Sequence, residues 1–327
     1  MTFDKLYVIQ DEEKKRFDVQ IESRPDVRFA TKLDGEMKWL LIDANYMCHR
    51  AFYSTGGLQY RGKMTGVVYG VLRSVISLEY EFHADGLIWC FDSRTSDRTE
   101  IFPDYKSSRK SKNKKSLTPN ERRTLQEFHK QVSALRDDYL PQIGYQNVLM
   151  QAGKEADDII ASIALNLPFR HSVVIASSDH DLYQLLGSGV SMIDPMQKTY
   201  TTRKSFVEKW NIQPELWANV KAIAGCSSDD IPGIEGVGEK TAIKWMRGEI
   251  EPGSSKDEKI KNGLALVNRN MKLVKLPIEG TKKFDLVEDQ ITRKRWRKFL
   301  NRMGFESMQR IEPRSLKRVS RHVARKK

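Results

Sequence analysis

The residues best suited to chemistry are acids set at the ends of apolar runs. Asp43 follows Trp39-Leu40-Leu41-Ile42, and Asp92 follows Leu87-Ile88-Trp89-Cys90-Phe91. Glu155-Ala156-Asp157-Asp158 comes shortly after Asn147-Val148-Leu149-Met150, and Asp179 and Asp181 follow Ser172-Val173-Val174-Ile175-Ala176. A further pair, Asp229-Asp230, stands just before Ile231-Pro232-Gly233. Singly, each reads as a turn former or a first-turn helix acid. With only 43 acids among 327 residues, however, an acid after every candidate strand points to one shared cleft. Carboxylates gathered there repel one another and raise their own pKa values unless cations neutralise them. A hard divalent ion such as Mg²⁺ suits oxygen ligands, and two ions about 4 Å apart can activate water and stabilise a leaving oxygen. The pattern predicts two-metal hydrolysis of a phosphodiester. Glu155 and Asp158, three apart, face the same way at a helix N-terminus, where the helix dipole favours their ionised forms.

For these acids to converge, the apolar runs must be neighbouring strands. Helical patterns over residues 67–82, 119–138 and 156–165 lie between them. Strands alternating with helices predict an α/β fold, a mostly parallel central sheet flanked by helices, with its ligand site beyond the C-terminal strand ends. Past Tyr200 the pattern is helical over 204–210, 214–224, 232–246, 264–276 and 291–303, while 249–263 reads as a surface connection. Residues 1–36 are polar and aperiodic. The expected division is a flanking segment over 1–36, an α/β body over 37–203, a helical part over 204–290 and a basic extension over 291–327. There is no internal repeat.

Net charge is +13, and its distribution is uneven. Residues 293–327 carry fourteen Lys and Arg against Glu306 and Glu312, and residues 94–115 carry eight against Asp97, Glu100 and Asp104. Such blocks on a balanced body suit a polyanionic partner, although a solvated tail would look the same. The stretch 94–118 is too polar for the core and too long for an ordinary connection. Within it, Arg98, Tyr105, Lys106, Arg109 and Lys110 mix cations with an aromatic ring, a combination that suits threading of a single strand. Lys106 or Arg98 could also stabilise charge on a scissile phosphate.

Gly233, Gly236 and Gly238 lead into Glu239-Lys240-Thr241, but a nucleotide-binding P-loop needs Lys directly after glycine, and Glu239 intervenes. That disfavours a nucleotide-binding α/β enzyme. The glycines instead permit a tight turn between helices whose N–H groups approach a phosphate. Cys48, Cys90 and Cys226 show no C-x-x-C spacing and read as reduced thiols. No apolar run reaches the roughly 20 residues of a membrane span and no signal peptide is evident, so a cytoplasmic protein without a membrane role is expected.

At these residues the chain resembles the 5′-nuclease superfamily: the 5′-nuclease domain of bacterial DNA polymerase I, the phage 5′-exonucleases and ribonuclease H, and eukaryotic flap endonucleases. The matching stretches are residues 40–52 (LLIDANYMCHRAF), 88–109, 155–162 (EADDIIAS), 176–186 (ASSDHDLYQLL) and 224–242 (AGCSSDDIPGIEGVGEKTA). The resemblance implies a PIN-like, resolvase-like fold. It implies that Asp43, Asp92, Glu155 and Asp157 serve one Mg²⁺, that Asp158, Asp179, Asp181 and Asp229 surround a second, and that Mn²⁺ can substitute. Residues 94–115 would form part of an arch in which Lys106 and Arg98 assist cleavage. Residues 225–246 would form a helix-hairpin-helix that grips duplex DNA and holds a K⁺, and Arg50 is a further DNA contact. The implied activity is 5′-3′ exonuclease or flap endonuclease action on branched or 5′-flapped DNA and RNA·DNA duplexes, including primer removal in replication or repair. A monomer is expected, docking a single-stranded-DNA-binding or other replication protein through its basic C-terminus. One departure stands out: where the family reads G-D-x-x-D-N, this chain has Gly225-Cys226-Ser227-Ser228-Asp229-Asp230. A thiol replaces a second-metal carboxylate, Asp230 is expected to restore the charge, and a branched-DNA-binding protein with a weakened site is the rival reading.

Overall fold

The computed structural model describes residues 36–109, 117–168 and 170–316 in full and the backbone of 3–11 and 16–23. Two N-terminal strands, β1 (Phe3–Asp11) and β2 (Arg16–Ser23), pair antiparallel. This corrects the aperiodic reading of residues 1–36: Phe17, Val19 and Ile21 alternate with polar residues, a period-2 signal too short to stand out from its charged surroundings.

The central sheet is built from β3 (Lys38–Asp43), β4 (Gly86–Cys90), β5 (Val148–Leu149), β6 (Ser172–Ala176), β7 (Val190–Asp194) and β8 (Thr199–Thr201). Their order across the sheet is β8-β7-β6-β3-β4-β5, all parallel except β8, which runs antiparallel to β7. The expected α/β architecture is therefore present, and β7 and β8 are additional to the strands legible in the sequence. The inner strands read as unbroken apolar runs because both faces are covered. Trp39, Leu41, Ile88, Val173 and Ile175 point into one core, and Leu40, Ile42, Leu87, Trp89 and Val174 into the other.

On the second face lie α1 (Ala44–Thr55), α2 (Gly66–Glu81) and α3 (Pro119–Ala134). α3 opens on a capping box between Thr118 and Glu121 with Pro119 at its first position, which fixes where the basic segment ends. On the first face lie α4 (Ala156–Asn166), α5 (Arg203–Trp210), α6 (Trp217–Ala224), α7 (Glu239–Met246), α8 (Ser255–Asn262) and α9 (Leu264–Val274). α8 corrects the surface-connection reading of 249–263: with Ile260 its one fully buried apolar side chain, SKDEKIKN shows no apolar stripe, and the helix starts instead from the Ser254 cap.

The last helix, α10 (Arg293–Met303), departs from the expected extension. Trp296, Phe299, Leu300 and Met303 enter the second core, and Glu79 of α2 accepts hydrogen bonds from the backbone N–H groups of Arg314 and Ser315 at 2.9 Å each. Residues 291–316 are thus part of the body, with a charged outer face. Residues 317–327 of the predicted extension lie outside the described residues. No helix among the described residues is long and apolar enough to cross a membrane.

Candidate metal centre and nucleic-acid interface

Strand geometry delivers the acids to one edge. β3 ends at Asp43, which caps α1 by accepting from the Tyr46 N–H at 2.9 Å; its other oxygen accepts from the Ser177 hydroxyl at 2.8 Å. Just past β4, Asp92 accepts from the N–H of Ala156 at 2.8 Å, tying the strand end to the start of α4. Glu155 is the N-cap of α4, in a capping box with Asp158, so one acidic stretch both starts the helix and lines the cleft. Beyond β6, Asp179 accepts from the N–H of Asp181 at 2.8 Å, while its own N–H donates to the Ser177 hydroxyl.

Electrostatics joins these groups into one field. Burial, then the charges of Asp92 and Asp179, push Asp43 up to about 7. Burial and the neighbouring Asp179 push Asp181 up to about 6. Asp92 is raised by burial and by Glu155, Asp229 by burial and by Asp179 and Glu155, and Asp157 well above its ordinary value by burial, then Asp158 and Glu155. Glu155 moves the other way: burial would raise it, but Lys106 and Arg98 outweigh that and hold it below the carboxylate range. Oxygen donors that repel one another in this way fit a hard divalent ion. Asp43, Asp92, Glu155 and Asp157 offer oxygen alone and are linked by the couplings of Asp43 with Asp92, Asp92 with Glu155 and Glu155 with Asp157. Asp181, Cys226 and Asp229 form a second cluster, each offering a ligand atom within 4.8 Å of the others.

Several predicted residues sit elsewhere than expected. Asp158 is fully buried, its oxygens taken by Arg98 at 2.7 and 2.9 Å and by the N–H groups of Glu155 and Ile278, so its role is to anchor α4 rather than to face the cleft. Arg98 is correspondingly 2% exposed, with Nε donating to the Leu273 carbonyl and its guanidinium nitrogens also 3.7 Å from Glu155 and 3.5 Å from Asp157, so its charge faces protein carboxylates. Tyr105, expected to stack on a base, is also 2% exposed and donates to Glu155 at 2.9 Å. Asp230 lies in the left-handed region with φ 58° and accepts from the Ser108 N–H at 2.9 Å; it is not part of the cluster of Asp181, Cys226 and Asp229. Arg50 donates to Ser74 of α2 at 3.0 Å. Lys110 lies outside the described residues.

Lys106 lies among the acids: its ammonium is 2.7 Å from Glu155 and 3.7 Å from Asp229, at the border of the two clusters. It too holds a positive φ of 52°, a conformation that non-glycine residues keep only when their surroundings impose it. Arg109 is exposed and bonds Asp229 at 2.9 Å and the Ser228 carbonyl at 3.1 Å. The foot of the basic segment is thereby fastened to the turn that presents the second cluster.

That turn belongs to a hairpin between α6 and α7. Gly225–Cys226 pairs antiparallel with Ile231–Pro232. A Cβ on Gly233 would stand 2.1 Å from the Ala224 carbonyl oxygen, so only glycine lets the strands close. Gly236 has φ 76°, and Gly236, Gly238 and Lys240 are exposed around the first turn of α7, with Thr241 half-buried. Asn270 of α9 donates to the carbonyls of Ala222 and Pro232 and braces both sides of the hairpin.

Three participants escaped the sequence reading. Lys221 on α6 is 8% exposed and bridges Asp181 at 3.2 Å to Glu239 of α7 at 2.8 Å, joining the second cluster to the hairpin. A lone lysine inside the apolar helix WANVKAIA was the available signal. Ser177, which orients Asp43 and Asp179, and Asn45, whose side chain accepts from the Asp92 N–H at 3.1 Å, gave none.

Residues 38–211, more than half of the chain, match the family model for the 5′-3′ exonuclease N-terminal resolvase-like domain. DNA polymerase I of Mycobacterium leprae is 32% identical over 256 residues, covering 72% of this chain and 27% of the polymerase. The thermostable DNA polymerase I of Thermus thermophilus is 28% identical over 285 residues, covering 82% of this chain and 32% of that protein. The chain thus spans about a quarter to a third of these relatives. Among solved structures, the T5 5′-exonuclease with bound zinc aligns at a TM-score of 0.63 and 22% identity, over 73% of this chain and 90% of that one, a likeness of fold.

Proposed function

Because the chain belongs to the 5′-3′ exonuclease N-terminal, resolvase-like domain family, we propose that it is a structure-specific 5′-nuclease, cutting phosphodiesters near 5′ ends in branched or flapped DNA and RNA·DNA duplexes. The observation that carries this reading is the convergence of Asp43, Asp92, Glu155, Asp157, Asp181 and Asp229 at one sheet edge, coupled electrostatically from end to end. Two divalent ions bound there, Mg²⁺ with Mn²⁺ as a substitute, would supply activation of water and neutralisation of charge on the scissile phosphate. Asp43, Asp92, Glu155 and Asp157 hold the first position; Asp179, Asp181 and Asp229 border the second.

Placement supports the remaining roles. Lys106, between the two clusters, is the cation set to stabilise charge on the phosphate, and Arg109 flanks the entrance. Backbone N–H groups around Gly236 and Gly238, with Lys240 and Thr241, suit a sequence-independent grip on a duplex backbone, the helix-hairpin-helix role, with main-chain carbonyls there for a K⁺. The exposed face of α10 adds Lys294, Arg297 and Lys298 for phosphates further along the duplex. Such a protein acts as a monomer in the cytoplasm, in RNA-primer or flap removal during replication or repair, and its basic C-terminus suits docking to a single-stranded-DNA-binding protein.

Cleavage of a 5′-labelled flap, with and without Mg²⁺, tests this for wild type, Asp157→Asn and Asp179→Asn. Metal-dependent products that fall by about a hundredfold or more in both variants are expected. Because Cys226 sits inside the second cluster, the rival outcome is also specific: tight binding of branched DNA with no cleavage would identify a binding protein on a nuclease scaffold.

A further inference from the structure

The two clusters differ in chemistry. The first offers oxygen alone, whereas the second presents Asp181, Cys226 and Asp229 with ligand atoms within 4.8 Å of one another. Bonds of about 2.0–2.3 Å around a tetrahedral ion place its ligand atoms about 3.5 Å apart, so a small inward turn of these side chains closes the site. From this constellation we infer that the second position is a mixed sulfur–oxygen site that takes a thiophilic divalent ion of the zinc and cobalt class in preference to Mg²⁺. The inference rests on the two-metal reading above and deepens it.

The sulfur is held in place by its backbone. Cys226 pairs with Ile231 across the short hairpin, between Gly225 at φ 76° and the Gly233 contact with Ala224, which no larger residue permits. Its side chain is 7% exposed, 3.0 Å from the Ser228 hydroxyl and 3.8 Å from an Asp229 oxygen. Asp230 does not replace the missing carboxylate: its backbone turns it toward the Ser108 N–H. A hard ion that demands six oxygens finds a poor partner in sulfur, whereas a thiolate is a preferred ligand of zinc-class ions. Binding breaks the S–H bond, forms a sulfur–metal bond and releases one proton to solvent. Lys221 lies 3.2 Å from Asp181, and Lys106 and Arg109 lie 3.7 and 2.9 Å from Asp229, so these cations already balance part of the negative charge that the ion would meet.

The test is Co²⁺ titration of the metal-free, full-length protein, followed by near-ultraviolet absorption, with equilibrium dialysis against Zn²⁺ and Mg²⁺. A sulfur-to-cobalt charge-transfer band that saturates at one equivalent is expected, lost in Cys226→Ser and kept in Asp230→Asn. Cys226→Asp should lower the ratio of Zn²⁺ to Mg²⁺ affinity at least about tenfold. Bound Co²⁺ without the band, or an unchanged affinity ratio in Cys226→Asp, overturns the inference and leaves the nuclease reading standing. No divalent ion bound at either position would overturn both.

Discussion

Arg98 and Asp158 meet in the most completely buried ion pair near the cleft, at 2% and 0% exposure. Removing one partner of such a pair leaves the other charge without compensation, at a cost of about 3–5 kcal/mol. Arg98→Ala should lower stability by that amount in urea unfolding, and Arg98→Lys should recover little because an ammonium cannot make the two-pronged contact. A loss below about 1 kcal/mol would show that the pair does not hold α4 in place. The cleft acids make a second prediction. Asp43 and Asp181 titrate at about 7 and about 6 in the fold, against an ordinary 3.8. Between those values the folded protein keeps protons that the unfolded chain has released, so their contribution to stability falls as pH rises from about 4 to 7. In the presence of a chelator, thermal unfolding from pH 5 to 8 should show wild type losing stability relative to Asp43→Asn as pH rises. Saturating divalent ion should abolish the difference, and a parallel pH course for both proteins without metal would count against the repulsive cleft.

At the scale of elements, the hairpin between α6 and α7 presents the second cluster and the duplex grip together. Gly233→Ala must open it, since the new Cβ would stand 2.1 Å from the Ala224 oxygen. A cost of about 1–3 kcal/mol is expected, with loss of both cleavage and duplex affinity, because Cys226 and Asp229 lie in the same turn. Wild-type cleavage by this variant would mean that the hairpin and the metal cluster are independent. α10 behaves as an element of the core. Each of Trp296, Phe299 and Leu300 contributes roughly 1.5–3 kcal/mol by burial, so truncation at Gln290 would unfold the body rather than report on DNA binding.

At the scale of the whole molecule, the outer face of α10 is therefore better probed by charge than by deletion. Lys294→Gln, Arg297→Gln and Lys298→Gln together leave its buried side intact. For each DNA phosphate that these changes leave unneutralised, the slope of log affinity against log salt should fall by about 1. An unchanged slope would place the duplex entirely on the hairpin side.

The α/β class and the identity of most cleft acids were legible because both depend on local sequence: apolar runs mark buried parallel strands, and the residue after each run falls at the ligand edge. Asp43, Asp92, Asp179 and Asp181 stand after such runs and Glu155 and Asp157 a few residues beyond the third, whereas Asp229 was singled out by its turn before Ile231. The pairing partners of these residues were not legible, since they come from distant parts of the chain. Arg98 meets Asp158 and Leu273, Tyr105 meets Glu155, and Lys221 meets Asp181 and Glu239. Sequence therefore showed a basic, aromatic loop, and only the tertiary structure turned two of its members inward and left Lys106 and Arg109 facing the acids. Likewise composition marked residues 291–316 as basic, while packing against α2 decided that one face of that segment is core. Sequence supplied the types of the charged groups; which of them face solvent, a neighbouring charge or the cleft depends on contacts across 18 to 236 residues of chain.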